Sequence, residues 1–126
     1  MAAGVGCGGP GDGPKKDAAV KRGTICWVNL EPVSPPEMGK IRPALIVSNS
    51  GQNVLLQSVV AIPLSAQRGE IWPLRVRIEM PDGKTSFAIL PGIRQVSKMR
   101  MQEAIGFARP GDLERIGEAL SCYLSD

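Results

Sequence analysis

Apolar and polar residues along this chain change their spacing in a way that predicts strands first and one helix last. Short apolar or alternating runs occupy residues 25–30, 44–48, 54–62, 74–79, 86–90 and 104–107. Runs of this length, bounded by Gly, Pro, Asn and Asp, are typical of β-strands. The run at 44–48 is almost wholly apolar, which predicts a central strand that is buried on both faces.

Turn-forming residues separate these runs. A polar cluster at 49–53 predicts a turn, and Pro81-Asp82-Gly83-Lys84 predicts a tight hairpin between two strands. Residues 34–41 and 64–73 are predicted as loops, and 92–101 as a short strand or a helical turn.

The last segment changes to a helical period. Its apolar positions are Leu113, Ile116, Leu120, Tyr123 and Leu124. Pro110 suits a first helical turn, and Asp112 suits the positive end of a helix. The order of elements predicts a mainly β, small antiparallel sheet that curls into a barrel, with short helices and a C-terminal helix packed on it.

Composition divides the chain into two parts. Residues 1–22 are rich in Gly, Ala and Pro and have no apolar period, which predicts a disordered leader ahead of one domain at 23–126. The net charge of +3 arises from 15 Lys and Arg against 12 Asp and Glu, and the excess lies mainly in the leader. An anionic partner must therefore be held by a local cluster of cations and not by a global field.

The chain has no histidine, so its chemistry must proceed without imidazole. Its three cysteines have no metal-ligand spacing and are predicted to be free thiols in a reducing cytoplasm. We predict no metal and no cofactor. No apolar run approaches the roughly 20 residues that span a bilayer, so we predict a cytoplasmic location without membrane contact.

Two polar side chains at predicted strand ends carry the candidate chemistry. Arg42 lies in a segment marked by Gly39 and Pro43, directly before the apolar run at 44–48, and Ser65 follows the third run. A fixed guanidinium and a hydroxyl, each at a strand end, can form a site for a phosphate. Taken alone, an arginine before a strand is more often a solvated charge, and Ser65 is equally typical of a turn.

Several segments follow one another with a characteristic order and spacing: 22–32, Glu37, Gly39, 42–49, 63–65, 93–100 and 105–106. Together they resemble the MazF/PemK family of toxin endoribonucleases, and the resemblance spans about 22–124. It implies an SH3-like barrel, a two-fold homodimer and an antitoxin whose acidic, flexible segment occupies the RNA groove. It also implies metal-independent cleavage of single-stranded RNA, with the ribose 2′-hydroxyl as the nucleophile.

The resemblance also implies roles for individual residues. The family's Arg-Pro arginine corresponds to Arg42, its strand-end Thr or Ser to Ser65, and its loop glutamate to Glu37, our candidate general base. The chain departs from the family at Pro91-Gly92, where an Asp-Gln pair is usual. Loss of that glutamine removes an amide suited to reading a base edge.

Further side chains are candidates for RNA binding because they are basic or aromatic. They are Lys40, Arg68, Trp72, Arg75, Arg77, Arg94 and Lys98. For Arg75 and Arg77 the alternative is the solvated face of an amphipathic strand, and Trp72 can either stack on a base or cap the barrel. Trp27 is predicted to belong to the core.

Two other functions remain open from the sequence. Toxins that poison gyrase share the barrel fold, so a protein-targeting or catalytically silent toxin is one alternative. An RNA-binding module without turnover is the other.

Overall fold

The computed structural model describes residues 20–30, 40–67 and 69–126, which contain seven strands and two helices. The strands are β1 (Thr24–Asn29), β2 (Ile41–Ile46), β3 (Ser58–Ser65), β4 (Arg75–Glu79), β5 (Thr85–Ile89), β6 (Arg94–Ser97) and β7 (Met101–Phe107). The helices are α1 (Ser50–Leu55) and α2 (Pro110–Tyr123). Short 3-10 turns occupy Leu90–Gly92 and Lys98–Arg100.

The strands form one antiparallel sheet in the order β4-β5-β3-β2-β1-β7, with β6 also paired to β3. The mainly β class with a C-terminal helix is therefore confirmed. Strand β3 is the centre of the arrangement, because it pairs with β2, with β5 through its last residues and with β6 through its first.

Both faces of the central strands are buried, which explains their continuous apolar runs. In β2, Leu45 belongs to a first core cluster, whereas Ala44 and Ile46 belong to a second. Successive residues of a strand point to opposite faces, so the two clusters lie on the two sides of the sheet. Ile62 and Ala61 of β3 divide between the clusters in the same way.

Helix α2 closes the first cluster. Pro110 lies in its first turn, and Ile116 and Ala119 are fully buried among the strand residues. The Asp112 carboxylate accepts a hydrogen bond from the backbone N–H of Glu79 at 2.8 Å, which joins the start of the helix to the end of β4. The predicted helix is thus confirmed, and its stripe contacts the core through Ile116, Leu120 and Tyr123. Leu124 was placed in the stripe as well, but it follows the helix and is 69% exposed.

The hairpin after β4 also follows the prediction. Gly83 has a φ of +91°, a conformation that glycine adopts without steric cost. Its N–H donates to the Met80 carbonyl at 2.8 Å, and the Asp82 side chain accepts from the N–H of Lys84 at 2.9 Å.

The turn predicted at 49–53 is wrong, because helix α1 begins there. The Asn49 side chain accepts from the N–H of Gln52 at 3.1 Å and so caps the helix. The third strand consequently begins at Ser58 and not at Val54, and it continues past Pro63 to Ser65.

Trp27 is not a core residue, contrary to the prediction. Its neighbours Cys26 and Val28 fill the second cluster, so the indole points to the other face of β1 and stays 39% exposed. It lies opposite Pro43 of β2.

The predicted leader lies largely outside the described residues. Of its last three residues, Val20 is buried in the second cluster, and Arg22 donates from its guanidinium to the Val47 carbonyl at 3.2 Å. Packing therefore begins before the predicted boundary at Gly23. Within the described part of the chain, no helix has the length and apolar character needed to cross a membrane.

Gly106 gives a direct test of this packing. A methyl group at this position would lie 2.6 Å from Cγ of Pro81, and the residue has a φ of +155°. We expect Gly106→Ala to lower the free energy of unfolding by about 1–3 kcal/mol in chemical denaturation, because both the contact and the backbone oppose the side chain. Gly111→Ala, where a methyl group meets nothing within 4 Å, is the control and should leave stability unchanged or raise it. Equal effects of the two substitutions would contradict this packing.

Candidate functional site

Arg42 lies where the pairing of β2 with β3 stops. The N–H of Val47 donates to the Val60 carbonyl of β3 at 2.9 Å, and the N–H of Leu30 donates to the Lys40 carbonyl from the β1 side. Backbone groups alternate sides along a strand, so position 43 faces β3. Pro43 has no N–H to donate to β3. The pairing with β3 accordingly stops at the next residue of β2, Ala44, which lies opposite Pro63.

Ser65 is the last residue of β3 and lies on the same face as Arg42. The register ends at Ala44 and Pro63, and Arg42 and Ser65 each lie two residues beyond that pair, on the same face of the sheet. Both side chains are half-buried, at the point where β2 and β3 are no longer paired. The Ser65 hydroxyl accepts from the N–H of Gln67 at 3.3 Å, so its proton remains available to another acceptor.

The same face continues across the sheet beyond Ser65. Ser65 pairs with Phe87 of β5, and Phe87 pairs with Arg77 of β4. We call the paired residues Ser65, Phe87 and Arg77, together with Arg42 on the same face beyond the end of the β2–β3 pairing, the cross-strand row. Arg75 lies two residues before Arg77 on the same face of β4, opposite Ile89. Arg75 and Arg77 therefore share a surface with Ser65.

Phe87 was not among the residues chosen from the sequence. The predicted hairpin could have identified Phe87, because the turn at 81–84 sets position 87 opposite position 77. An aromatic residue opposite a candidate RNA-binding arginine then follows from pairing alone.

Three basic residues near β6, Arg94, Lys98 and Arg100, are only partly open to solvent. Arg94 donates to the Leu30 carbonyl and Arg100 to the Asn29 carbonyl, both at 3.3 Å, so these guanidiniums hold the end of β1. Lys98 is only 8% exposed, which leaves little of its side chain open to RNA. Arg94 is half-buried and lies opposite Ala61, on the face of Arg42.

The loop after Ser65 is held to helix α2 by one arginine. Arg115 donates to the Glu70 carboxylate at 2.6 Å and to the Arg77 carbonyl at 3.2 Å, and its guanidinium lies 5.8 Å from the Trp72 ring centroid. The hydrogen bond from Arg115, assisted by the backbone N–H of Arg77, lowers the pKa of Glu70 below its ordinary value. Trp72 remains 45% exposed, so it does not cap the sheet as a buried residue would.

Gly92 shows why a larger side chain does not occupy its position. A methyl group there would lie 2.7 Å from Cγ of Pro63. The missing N–H of Pro63 faces β5 and β6, where the 3-10 turn at Leu90–Gly92 interrupts the pairing. The proline and the glycine therefore fit each other, and a side chain at 92 would force the Pro63 ring or the turn to shift.

Lys40 is exposed and has a left-handed φ of +66°. Glu37 and Arg68 lie outside the described residues.

Other reactive groups do not form a centre in the described ranges. Burial raises the pKa of the Cys26 thiol to about 11, so it is protonated at neutral pH. Cys26 and Cys122 are free thiols, as predicted. Across 20–30, 40–67 and 69–126, no three Cys, Asp or Glu side chains form a group that could hold a metal ion.

Comparison with known proteins identifies one family. Residues 21–124 match the model of the PemK-like, MazF-like toxins of type II toxin–antitoxin systems. The chain is 29% identical over 111 residues to Endoribonuclease EndoA of Bacillus subtilis, covering 84% of this chain and 95% of that protein. It is also 29% identical over 110 residues to Endoribonuclease MazF of Staphylococcus epidermidis, covering 83% and 91%.

Solved structures agree with the predicted fold. The crystal structure of MazF from Deinococcus radiodurans superposes with a TM-score of 0.73 at 24% identity, covering 83% of this chain and 96% of that one. A mycobacterial endoribonuclease in complex with its cognate antitoxin gives a TM-score of 0.71 at 27% identity, covering 84% and 95%.

The contact of Arg115 with Trp72 can be measured by fluorescence. With Trp27→Phe as background, Trp72 is the only emitting tryptophan. We expect Arg115→Met to increase the quenching of Trp72 by acrylamide, because the ring loses its cation cover and the loop its anchor. Stability should change by less than about 1 kcal/mol, as is usual for an exposed pair.

The control is Arg109→Met. Arg109 also joins α2 to β4, through Glu79 at 2.9 Å, but without contact to the loop. Unchanged quenching in Arg115→Met, or the same increase in Arg109→Met, would contradict the role assigned to Arg115.

Proposed function

Since the chain belongs to the PemK-like, MazF-like toxin family of type II toxin–antitoxin systems and is an endoribonuclease of the MazF type, we propose that it cleaves single-stranded RNA sequence-selectively by attack of a ribose 2′-hydroxyl, without a metal ion. The observation that carries the proposal is the register of β2 with β3, which puts Arg42 and Ser65 on one face, each two residues beyond the last pair, Ala44 with Pro63. The family match covers both residues.

Arg42 stabilises the charge that develops on the phosphate. A guanidinium offers two parallel donors whose geometry matches two phosphate oxygens. The backbone of Arg42 lies in β2, paired with Val28, so the fork starts from a rigid support. A preorganised donor of this kind lowers a barrier by roughly 3–4 kcal/mol.

Ser65 is the second donor. Its hydroxyl can donate to a nonbridging oxygen or orient the 2′-hydroxyl. The Ser86 hydroxyl donates to the Ser65 carbonyl at 3.2 Å and holds the end of β3 in place. The site then positions one phosphate between a cation and a neutral donor.

The reaction conserves atoms within the RNA. The 2′-oxygen forms a bond to phosphorus, the bond from phosphorus to the 5′-oxygen breaks, and the products carry a 2′,3′-cyclic phosphate and a 5′-hydroxyl. A proton leaves the 2′-hydroxyl and another reaches the departing 5′-oxygen. Glu37 is the proposed base, because a guanidinium stays protonated and cannot accept the proton.

The basic residues of the same face are proposed to bind the rest of the strand. Arg75 and Arg77 flank the Ser65 end, Lys40 lies two residues before Arg42, and Arg94 lies opposite Ala61 with its guanidinium at the Leu30 carbonyl. Such cations bind phosphates without reading sequence. Trp72 and Arg68, in the loop after Ser65, are proposed to contact the RNA as well.

The protein is proposed to act in the cytoplasm as a homodimer. Trp27 and Ile41 are 39% and 50% exposed on one face of the β1–β2 pair. Exposed apolar residues gathered in this way favour burial against another chain. The cognate antitoxin is proposed to cover the RNA surface with an acidic segment, which suits the arginines there.

Substitution at Arg42 and Ser65 tests the proposal. We expect Arg42→Ala to lower kcat by about 10²–10³ in EDTA-containing buffer, since it removes the charged donor. Ser65→Ala should also slow cleavage, whereas Ser65→Thr, which keeps the hydroxyl, should retain it. The measurement is single-turnover cleavage of a mixed RNA pool, with ends mapped for 2′,3′-cyclic phosphate.

The control variant is Arg109→Ala, because Arg109 is paired with Glu79 near α2 and lies outside the proposed site. Its cleavage rate should equal that of the unmodified protein. Full activity of Arg42→Ala, or abolition of cleavage by EDTA, would reject the proposed mechanism.

A further inference from the structure

Phe87 has an unusual position for a large apolar residue. Its neighbours in the cross-strand row are Ser65 on one side and Arg77 on the other. The adjoining residues Leu64, Val76 and Ala88 fill the first core cluster, so Phe87 faces the opposite side of the sheet. It is half-buried there, between a hydroxyl and a cation.

The spacing of the row suits a nucleotide next to the reacting phosphate. Neighbouring strands lie about 4.8 Å apart, so Phe87 is one strand spacing from Ser65, and Arg77 about 10 Å from it. The chemistry along the row is therefore cation, hydroxyl, aromatic ring and cation. Single-stranded nucleic acids present phosphates alternating with bases, and proteins bind them with cations and aromatic rings in the same way.

We propose that Phe87 forms a base-stacking subsite for the nucleotide adjacent to the cleaved phosphate, with Arg77 holding the next phosphate. The inference rests on the proposed function, because it takes the phosphate at Arg42 and Ser65 as its reference point. A π face accepts any base, so the subsite contributes affinity and positioning and reads sequence weakly.

The test uses RNA binding and is separate from catalysis. The probe is a single-stranded oligonucleotide containing a mapped cleavage site, with 2′-deoxyribose at the cleaved nucleotide so that it cannot react. A second set carries an abasic residue immediately 5′ or 3′ of the scissile phosphate. Dissociation constants are measured for both sets with the unmodified full chain and with its variants.

Phe87→Leu should weaken binding by about tenfold or more, because leucine has no aromatic face. Phe87→Tyr should bind like the unmodified protein. An abasic residue on one side of the scissile phosphate should weaken binding to the unmodified protein by a similar factor. With that probe, the unmodified protein and Phe87→Leu should have the same dissociation constant. The matched control is Phe107→Leu, which changes the chain's other phenylalanine, 62% exposed on β7.

The inference fails if abasic and intact probes bind the unmodified protein equally, a result that needs no variant to fold. It also fails if Phe87→Leu weakens both probes by the same factor, which would indicate a structural role. If Arg42→Ala cleaves RNA at full rate, the proposed function fails on its own account. If abasic and intact probes bind equally while Arg42→Ala is inactive, the subsite is rejected and the proposed function stands.

Discussion

The antiparallel register of β3 with its three neighbours is the constraint on which the site depends. Because side chains alternate along a strand, a pairing fixed at one position fixes the face of every other residue. Leu64 and Ala88 are opposite each other and face the first core cluster, so Ser65 and Phe87 must face the other side of the sheet. A slip of one residue would bury the serine and expose the leucine.

Prolines in the two central strands interrupt the backbone pairing next to the candidate site. Pro43 removes the donor that would extend the pairing of β2 with β3, and the strands separate just where Arg42 and Ser65 begin. Pro63 occupies the point where β3 changes partner, and its ring takes the space above Gly92. The cost of these interrupted ladders is offset by burial of the sheet on both faces.

The sequence predicted most of the fold because its strands have clear periods and turn residues between them. It failed where local signals competed. The 49–53 segment contains turn residues, yet Asn49 acts as a helix cap, and Val54 then belongs to a helix although its type favours strands. A large aromatic residue such as Trp27 favours the core, whereas the alternation around Cys26 and Val28 directs it to the other face of β1.

The candidate site was predicted less completely. Strand-end positions and the resemblance together pointed to Arg42 and Ser65, whereas only the pairing registers put both on one face and add Phe87. Lys98 carries a charge that suits RNA, but its burial depends on tertiary packing that no local pattern encodes. Composition indicated which chemistry was present, and topology decided which parts of it lie together.

The most direct measurement is a double-mutant cycle of Arg42→Ala and Ser65→Ala on the single-turnover rate of RNA cleavage. Two groups that stabilise one transition-state phosphate act as a unit, so the double variant should be scarcely slower than the slower single variant. Multiplication of the two single effects would show that the residues act independently, and it would contradict the shared phosphate on which this account rests.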